Sequence, residues 1–321
     1  MRNKTWFKKA AAAVFCAGMC AILPAGYGNA AETELQEAET ITVTDVRGEV
    51  EIPAEPERIV DLSGNSDILS ILGYKVVGTA NSDAYDYTKF PTYLEEVLDG
   101  AEILGYSMQD TMDIEAVMNV NPDLIIISTV QEKMYEQLSE IAPTVMIQLE
   151  ALNWIEDIRS VAEIFGKQEA AEAWIEQYET KAAEAGEAIK EAYGEETSYL
   201  SFLASGGQFF VFTGAGFGSV LYQDMGLAVP NGLPEQDSIS LPVVTYEGLA
   251  EIEADYIFVM ATDEDLEQLE ANAIWNSLEA VKNEQVVILP ASPYFNQGYS
   301  SIGRELLLDE IAELLNENKA E

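Results

Sequence analysis

The sequence predicts an α/β protein of two lobes, each a mainly parallel sheet flanked by helices, bridged by one long rigid helix. Three observations carry this. Apolar runs of strand length alternate with stretches of helical periodicity along most of the chain, the pattern of parallel strands joined by crossover helices. One unit occurs twice, over 113–127 and 245–259: a capped short helix running into a continuous apolar strand. Asp113 and Thr245 are suited to the cap because their side-chain oxygens can accept from orphan backbone N–H groups. Between the units, 167–193 is rich in Ala, Glu and Lys, has no proline and only one internal glycine, Gly186. Strong helix formers over that span predict a rod of roughly 40 Å at 1.5 Å per residue.

Taken in order, residues 1–30 have the layout of a signal peptide: Arg2, Lys4, Lys8 and Lys9, an apolar stretch, then small residues around Gly28-Asn29-Ala30. Export is expected, to the periplasm or the outer face of the cytoplasmic membrane. Both cysteines, Cys16 and Cys20, fall in this leader, so the mature chain is expected to lack thiol chemistry and disulfides. A lipidated cysteine needs a small residue before it, whereas Cys16 follows Phe15 and Cys20 follows Met19. Ordinary cleavage near Ala30 is therefore expected, with a lipid anchor left open. Residues 31–41, mostly small and acidic, have little to bury and predict a disordered tether.

The N-terminal lobe, 42–166, opens with alternating segments 41–45 and 49–53 around Arg47-Gly48, read as a hairpin. A strand at 59–62, a helix at 67–72 and a strand at 76–78 precede the first repeated unit; a helix at 135–141, a strand at 143–147 and a helix at 154–165 follow it. The connecting helix occupies 167–194. The C-terminal lobe, 195–321, repeats the alternation with strands at 198–203 and 209–213, a helix at 218–225, the second unit, a helical 266–269, a strand at 286–289 and a closing helix at 302–316. At roughly 125 residues each, both lobes can bury a core of their own.

Charge narrows the function. Acidic residues number 57 against 16 basic, a formal net charge of −41, and removing the leader makes the balance more negative still. Such a chain repels phosphate backbones and anionic headgroups, so nucleic acid and membrane surfaces are not expected partners. Histidine is absent, which excludes His-ligated zinc, Ser-His-Asp triads and His-ligated haem. The glycine-rich 214–218 has neither the Lys-Ser/Thr of a phosphate loop nor the spacing of a dinucleotide fingerprint; it reads as a turn before a helix.

Several segments together resemble the iron-siderophore and cobalamin substrate-binding proteins of ABC importers. They are Val43-Thr44-Asp45 with Gly48 and Ile52-Pro53, Pro56-Glu57-Arg58-Ile59-Val60, Leu72-Gly73 with Val76-Val77-Gly78, Leu104-Gly105, Asn121-Pro122-Asp123-Leu124-Ile125, and the run from Trp275 to Asn283. The resemblance covers about residues 42–315. It implies an exported receptor rather than an enzyme, holding a ligand between two lobes and delivering it to an ABC permease dimer with its ATPase subunits. It implies no intrinsic cofactor, the ligand being an iron chelate. It also implies permease docking by one glutamate per lobe, at Glu115 and Glu247. A first-turn glutamate has a plainer use as well, complementing the helix dipole by ~0.3–1 kcal/mol.

Relatives that bind anionic ferric chelates commonly carry a basic residue just after the Leu-Gly matched by Leu104-Gly105. Tyr106-Ser107-Met108 stands there instead, and Leu203-Ala204-Ser205 offers no arginine either. A neutral or cationic ligand is therefore expected, a ferric hydroxamate above all, with a corrinoid or haem as alternatives of the same family. From another class, an exported carboxylate-dependent hydrolase remains the rival reading. Loops at the carboxyl ends of the strands should line the cleft. Their candidate ligand-binding residues are Tyr85, Tyr87, Tyr106, Met108, Phe217, Tyr294, Phe295 and Tyr299, bulky side chains that give area at low entropy cost. No metal site and no catalytic residue is expected. Trp174 and Trp275, at helical core spacing, read as structural.

Overall fold

The computed structural model describes residues 39–149 and 152–320, all within one unit that begins at Ala38. The expected leader with Cys16 and Cys20, and most of the expected tether, lie outside the described residues. The first lobe runs β1 (Thr40–Asp45), β2 (Gly48–Pro53), β3 (Ile59–Asp61), α1 (Ser66–Ile71), β4 (Val76–Thr79), β5 (Glu102–Ile103), α2 (Ile114–Asn119), β6 (Leu124–Ser128), α3 (Tyr135–Ser139), β7 (Thr144–Ile147) and α4 (Trp154–Ile164). Then comes α5 (Gln168–Tyr193). The second lobe runs β8 (Tyr199–Ser205), β9 (Gln208–Val211), α6 (Gly216–Ser219), β10 (Val243–Val244), α7 (Tyr246–Ala250), β11 (Tyr256–Ala261), α8 (Asp263–Glu270), α9 (Glu279–Lys282), β12 (Val286–Pro290), α10 (Ala291–Gln297) and α11 (Ser301–Ala320). β1 takes in Thr40 and Ile41, the last residues of the expected tether.

Each lobe holds one five-stranded sheet, ordered β5-β4-β3-β6-β7 and β10-β9-β8-β11-β12. All pairings in the first sheet are parallel. In the second, β8, β11 and β12 are parallel while β9 and β10 each run antiparallel to their neighbour. The cause is local: Gly206-Gly207, both at positive φ, make a two-residue turn that returns the chain directly beside β8, where a parallel neighbour would need a crossover.

The repeated unit produces the central strands. Every residue of β6 and β11 is buried, and alternate side chains serve opposite faces, as a pleated strand requires. Leu124 and Ile126 enter one core layer while Ile125 and Ile127 enter the other. In β11, Ile257 and Val259 oppose Phe258 and Met260 in the same way. The helix expected over 218–225 starts earlier, at Gly216, and continues past Ser219 as a π-helical turn over Val220–Asp224. Gly218 permits that start, because a Cβ there would collide with the Phe212 carbonyl.

α5 is 26 residues long, about 39 Å. Its buried residues form one stripe: Ala171 and Ile175 enter the core of the first lobe, whereas Tyr178, Ala182 and Ile189 enter that of the second. Gly186 lies on the same stripe. Alanine is ordinarily preferred to glycine inside a helix by about 1 kcal/mol, but a Cβ at Gly186 would collide with the backbone carbonyl of Met225. Gly186→Ala should therefore destabilise the fold by about 3 kcal/mol, measured as a lowered denaturation midpoint. A midpoint equal to or above that of the wild type would disprove the close approach.

Candidate functional site

The lobes meet along a seam built from loops at the carboxyl ends of β3, β4, β5 and β12. At its floor, Asp61 closes β3 and is wholly buried. Its carboxylate accepts from the backbone N–H of Ser63 and Asn65 and from the hydroxyls of Ser63 and Ser66. Burial pushes this carboxyl above its ordinary range, although those hydrogen bonds oppose the shift. The network fixes the loop into α1, and Asn81 ties it to the next strand by donating to the Gly64 carbonyl at 2.9 Å.

Asp67, in α1, reaches the other lobe. It accepts from the Ser300 hydroxyl at 2.7 Å and the Ser301 backbone N–H at 2.6 Å. A carboxylate of the first lobe thus caps the 20-residue helix α11 of the second, taking up orphan N–H donors where the helix dipole is positive. One turn on, the buried Arg304 pairs with Asp224 at 2.6 Å and lies over the Trp154 ring.

Above the floor, Asp83 organises a turn. Its Oδ1 accepts from the N–H groups of Tyr85 and Asp86 at 2.7 and 3.0 Å, and its own N–H donates to the Lys89 carbonyl. The turn projects Tyr85 and Tyr87. Tyr87 stacks on Tyr106 with centroids 4.9 Å apart, and Tyr85 meets Phe295 of α10 edge-on at 6.4 Å. Two further contacts cross the seam: Ser292 donates its hydroxyl hydrogen to Asp83 Oδ2, and Asn296 donates to the Tyr106 hydroxyl at 3.5 Å. Asp83, Tyr85 and Pro91 on one side and Ser292, Pro293 and Phe295 on the other line a narrow crevice with about 0 Å³ of room for a water-sized sphere. A larger hollow, about 580 Å³, lies beside β1 and α4; only the first lobe lines it, and it is open to solvent.

Of the eight aromatic and Met candidates, Tyr85, Tyr87, Tyr106 and Phe295 come together at the seam. Met108 stands two residues past Tyr106 and is 64% exposed. Phe217 lies elsewhere, fully buried against Phe258 in the second-lobe core; the glycine turn aims it inward. Tyr294 packs on that same core, within the field of Glu310 and Glu317. Tyr299 sits beside Gly216, its hydroxyl pushed up to about 12 by burial. Trp174 packs on Trp154 and Tyr178, and Trp275 is in the second-lobe core. Sequence reasoning missed Asp83, Ser292 and Asn296.

Glu115 and Glu247 are both exposed in the first turns of α2 and α7. Asp113 accepts from the N–H groups of Glu115 and Ala116, and Thr245 from that of Gly248. Each helix feeds the fourth strand of its sheet, β6 or β11, so the two acids hold equivalent places.

The profile of the periplasmic binding protein family matches residues 65–293. The chain belongs to this family. It is 33% identical to the iron(3+)-hydroxamate-binding protein FhuD of Bacillus subtilis, covering 93% of this chain and 96% of that protein. A second B. subtilis relative, the iron(3+)-hydroxamate-binding protein YxeB, is 28% identical, with 92% of each covered. Among solved structures, a FhuD fold-family component of a Fep/Fec-like ferrichrome ABC transporter from B. subtilis superposes with a TM-score of 0.68 at 28% identity. It covers 84% of this chain and 98% of that one. Membership of a binding-protein family sets aside the hydrolase reading.

In this binding protein the cations of the loops beside the seam are engaged elsewhere. Lys89 pairs with Asp86 at 2.7 Å and Lys133 with Asp110 at 2.6 Å; the hydrogen bond from Lys89 holds the Asp86 carboxyl down at about 2. Asp67 behaves oppositely: burial outweighs its hydrogen bonds and raises it above its ordinary 3.8. A carboxyl with a raised folded-state pKa contributes stability that is fully present below its unfolded value and lost as pH rises through the folded value. Asp67→Asn keeps a carbonyl acceptor for the Ser301 N–H but cannot ionise. Its melting temperature should therefore rise relative to wild type as pH climbs from about 3.8 toward neutrality; parallel curves would refute this.

Proposed function

We propose that this protein is the extracytoplasmic receptor of an ABC importer and captures a ferric siderophore between its lobes, neutral or cationic and of hydroxamate type. The observation that carries the reading is the make-up of the seam: aromatic rings from both lobes gather around Asp83, while Lys89 and Lys133 are paired elsewhere. A catecholate complex with several negative charges would meet that carboxylate with no arginine paired to it among the described residues, at a cost that grows as water is excluded. A hydroxamate complex carries no such burden. The two relatives named for iron hydroxamates support the same class.

Closed as it is, the seam between Asp83 and Ser292 has about 0 Å³ of room for a water-sized sphere, against the ~300–1,000 Å³ of ordinary ligand pockets. Loading therefore parts the lobes, 42–166 and 195–321 moving as bodies about the helix 167–194. Iron arrives as cargo inside the chelate; no resident cofactor is invoked. Glu115 and Glu247, one on each shoulder, would meet basic surfaces of the permease dimer, where rim charges set register and encounter rate more than affinity.

Two experiments test this. Calorimetric titration with ferrioxamine-type and enterobactin-type ferric complexes should show tight binding of the first only, and tight binding of the catecholate would reject the ligand class. Glu115→Ala combined with Glu247→Ala should abolish iron uptake in the host while leaving ligand affinity intact. A weakened affinity would contradict the assigned division of labour.

A further inference from the structure

The two oxygens of Asp83 have different work. Oδ1 builds the turn by accepting two backbone N–H groups. Oδ2 faces the other lobe, where among the described residues it receives only the Ser292 hydroxyl. Among the described residues no Arg or Lys forms an ion pair with Asp83, and the lysine of its own turn is taken by Asp86. A half-buried carboxylate is thus satisfied across the seam by a neutral donor, in a place where a charged donor would bind it about twice as strongly.

The surroundings suit a cation. Tyr85 and Phe295 meet edge-on beside Asp83, with the Tyr87–Tyr106 stack next to them, and aromatic faces attract an ammonium group through their quadrupole. The negative field comes from both lobes: after burial, the charges of Asp265 in α8 and of Asp83 raise the pKa of the Tyr85 hydroxyl. Asp265 is itself fixed, accepting from the Gly206 N–H and the Thr262 hydroxyl.

Resting on the hydroxamate reading above, we infer that Asp83 is a specificity-determining residue that selects ferric hydroxamates bearing a protonated primary amine, its Oδ2 exchanging the Ser292 hydroxyl for the ligand's ammonium. The ferric core is then gripped by shape and aromatic area, and the amine decides among cores of equal shape. An ammonium has three donors, enough to engage Oδ2 and the Tyr85 hydroxyl together.

The test compares ferrioxamine B, which carries a free amine, with its N-acetylated neutral form, on the wild type and on Asp83→Asn. The asparagine keeps a carbonyl oxygen for the turn, removes the charge, and puts an amide NH2 opposite Ser292, whose hydroxyl can accept instead of donate. The wild type should bind the amine form about tenfold tighter, a ratio equivalent to ~1.4 kcal/mol. Asp83→Asn should erase that preference, binding the amine and acetylated forms alike, and a circular-dichroism melt matching the wild type checks its folding. Equal affinities in the wild type, or an Asp83→Asn loss equal for both ligands, would overturn the inference and leave the hydroxamate reading standing. Failure of the wild type to bind either ligand would instead remove that reading, and this inference with it.

Discussion

One stripe of side chains on α5 holds the molecule together. Ala171 and Ile175 are buried in one core and Tyr178, Ala182 and Ile189 in the other, so a single helix face is shared by two hydrophobic interiors. Neither lobe can shed α5 without exposing apolar area worth roughly 25 cal/mol per Å². The switch between cores falls at Tyr178, whose ring packs on Trp154 and Trp174 and whose hydroxyl donates to Asp224. Arg304 completes the joint. Its pairing with Asp224 compensates a charge that would otherwise be costly to bury, and its place over Trp154 brings α11 against the start of α4.

From that joint the two sheets diverge, and the seam is what their carboxyl-end loops leave between them. Asp67 closes it at depth by capping α11, while Ser292 and Asn296 close it nearer the rim. The contacts differ in kind. The deep one is a buried carboxylate on backbone and hydroxyl donors, expensive to break in a low-dielectric setting. The upper ones are single hydrogen bonds and ring edges that solvent can replace. The closure is thus graded, weaker at the rim than at its base.

Much of this architecture could be read from residue order because it rests on local physics. The caps at Asp113 and Thr245, the buried runs after them, and the uninterrupted helix formers of α5 all follow from neighbours in sequence. The antiparallel turn from β8 to β9 has a local cause too, since Gly206-Gly207 between two apolar runs is a turn signal. The two-residue strands β5 and β10 are too short to show any period. The seam was half legible. Aromatic side chains in loops after strands stand out, whereas Phe217 looks the same in sequence and points into the core. Asp83 is one of 57 acids, and nothing nearby in sequence marks it; only tertiary structure sets it opposite Ser292, from the far end of the chain.

The placement of the tryptophans has an optical consequence. Trp154 and Trp174 sit where the helix passes from one core to the other, and Trp275 is sealed inside the second lobe, so none of the three lines the crevice between Asp83 and Ser292. Emission from Trp154, Trp174 and Trp275 therefore reports on the joint and the second core rather than on the loops around Asp83. With loading parting the lobes as proposed, a spectral change would register the swing of the halves from a vantage point away from the crevice.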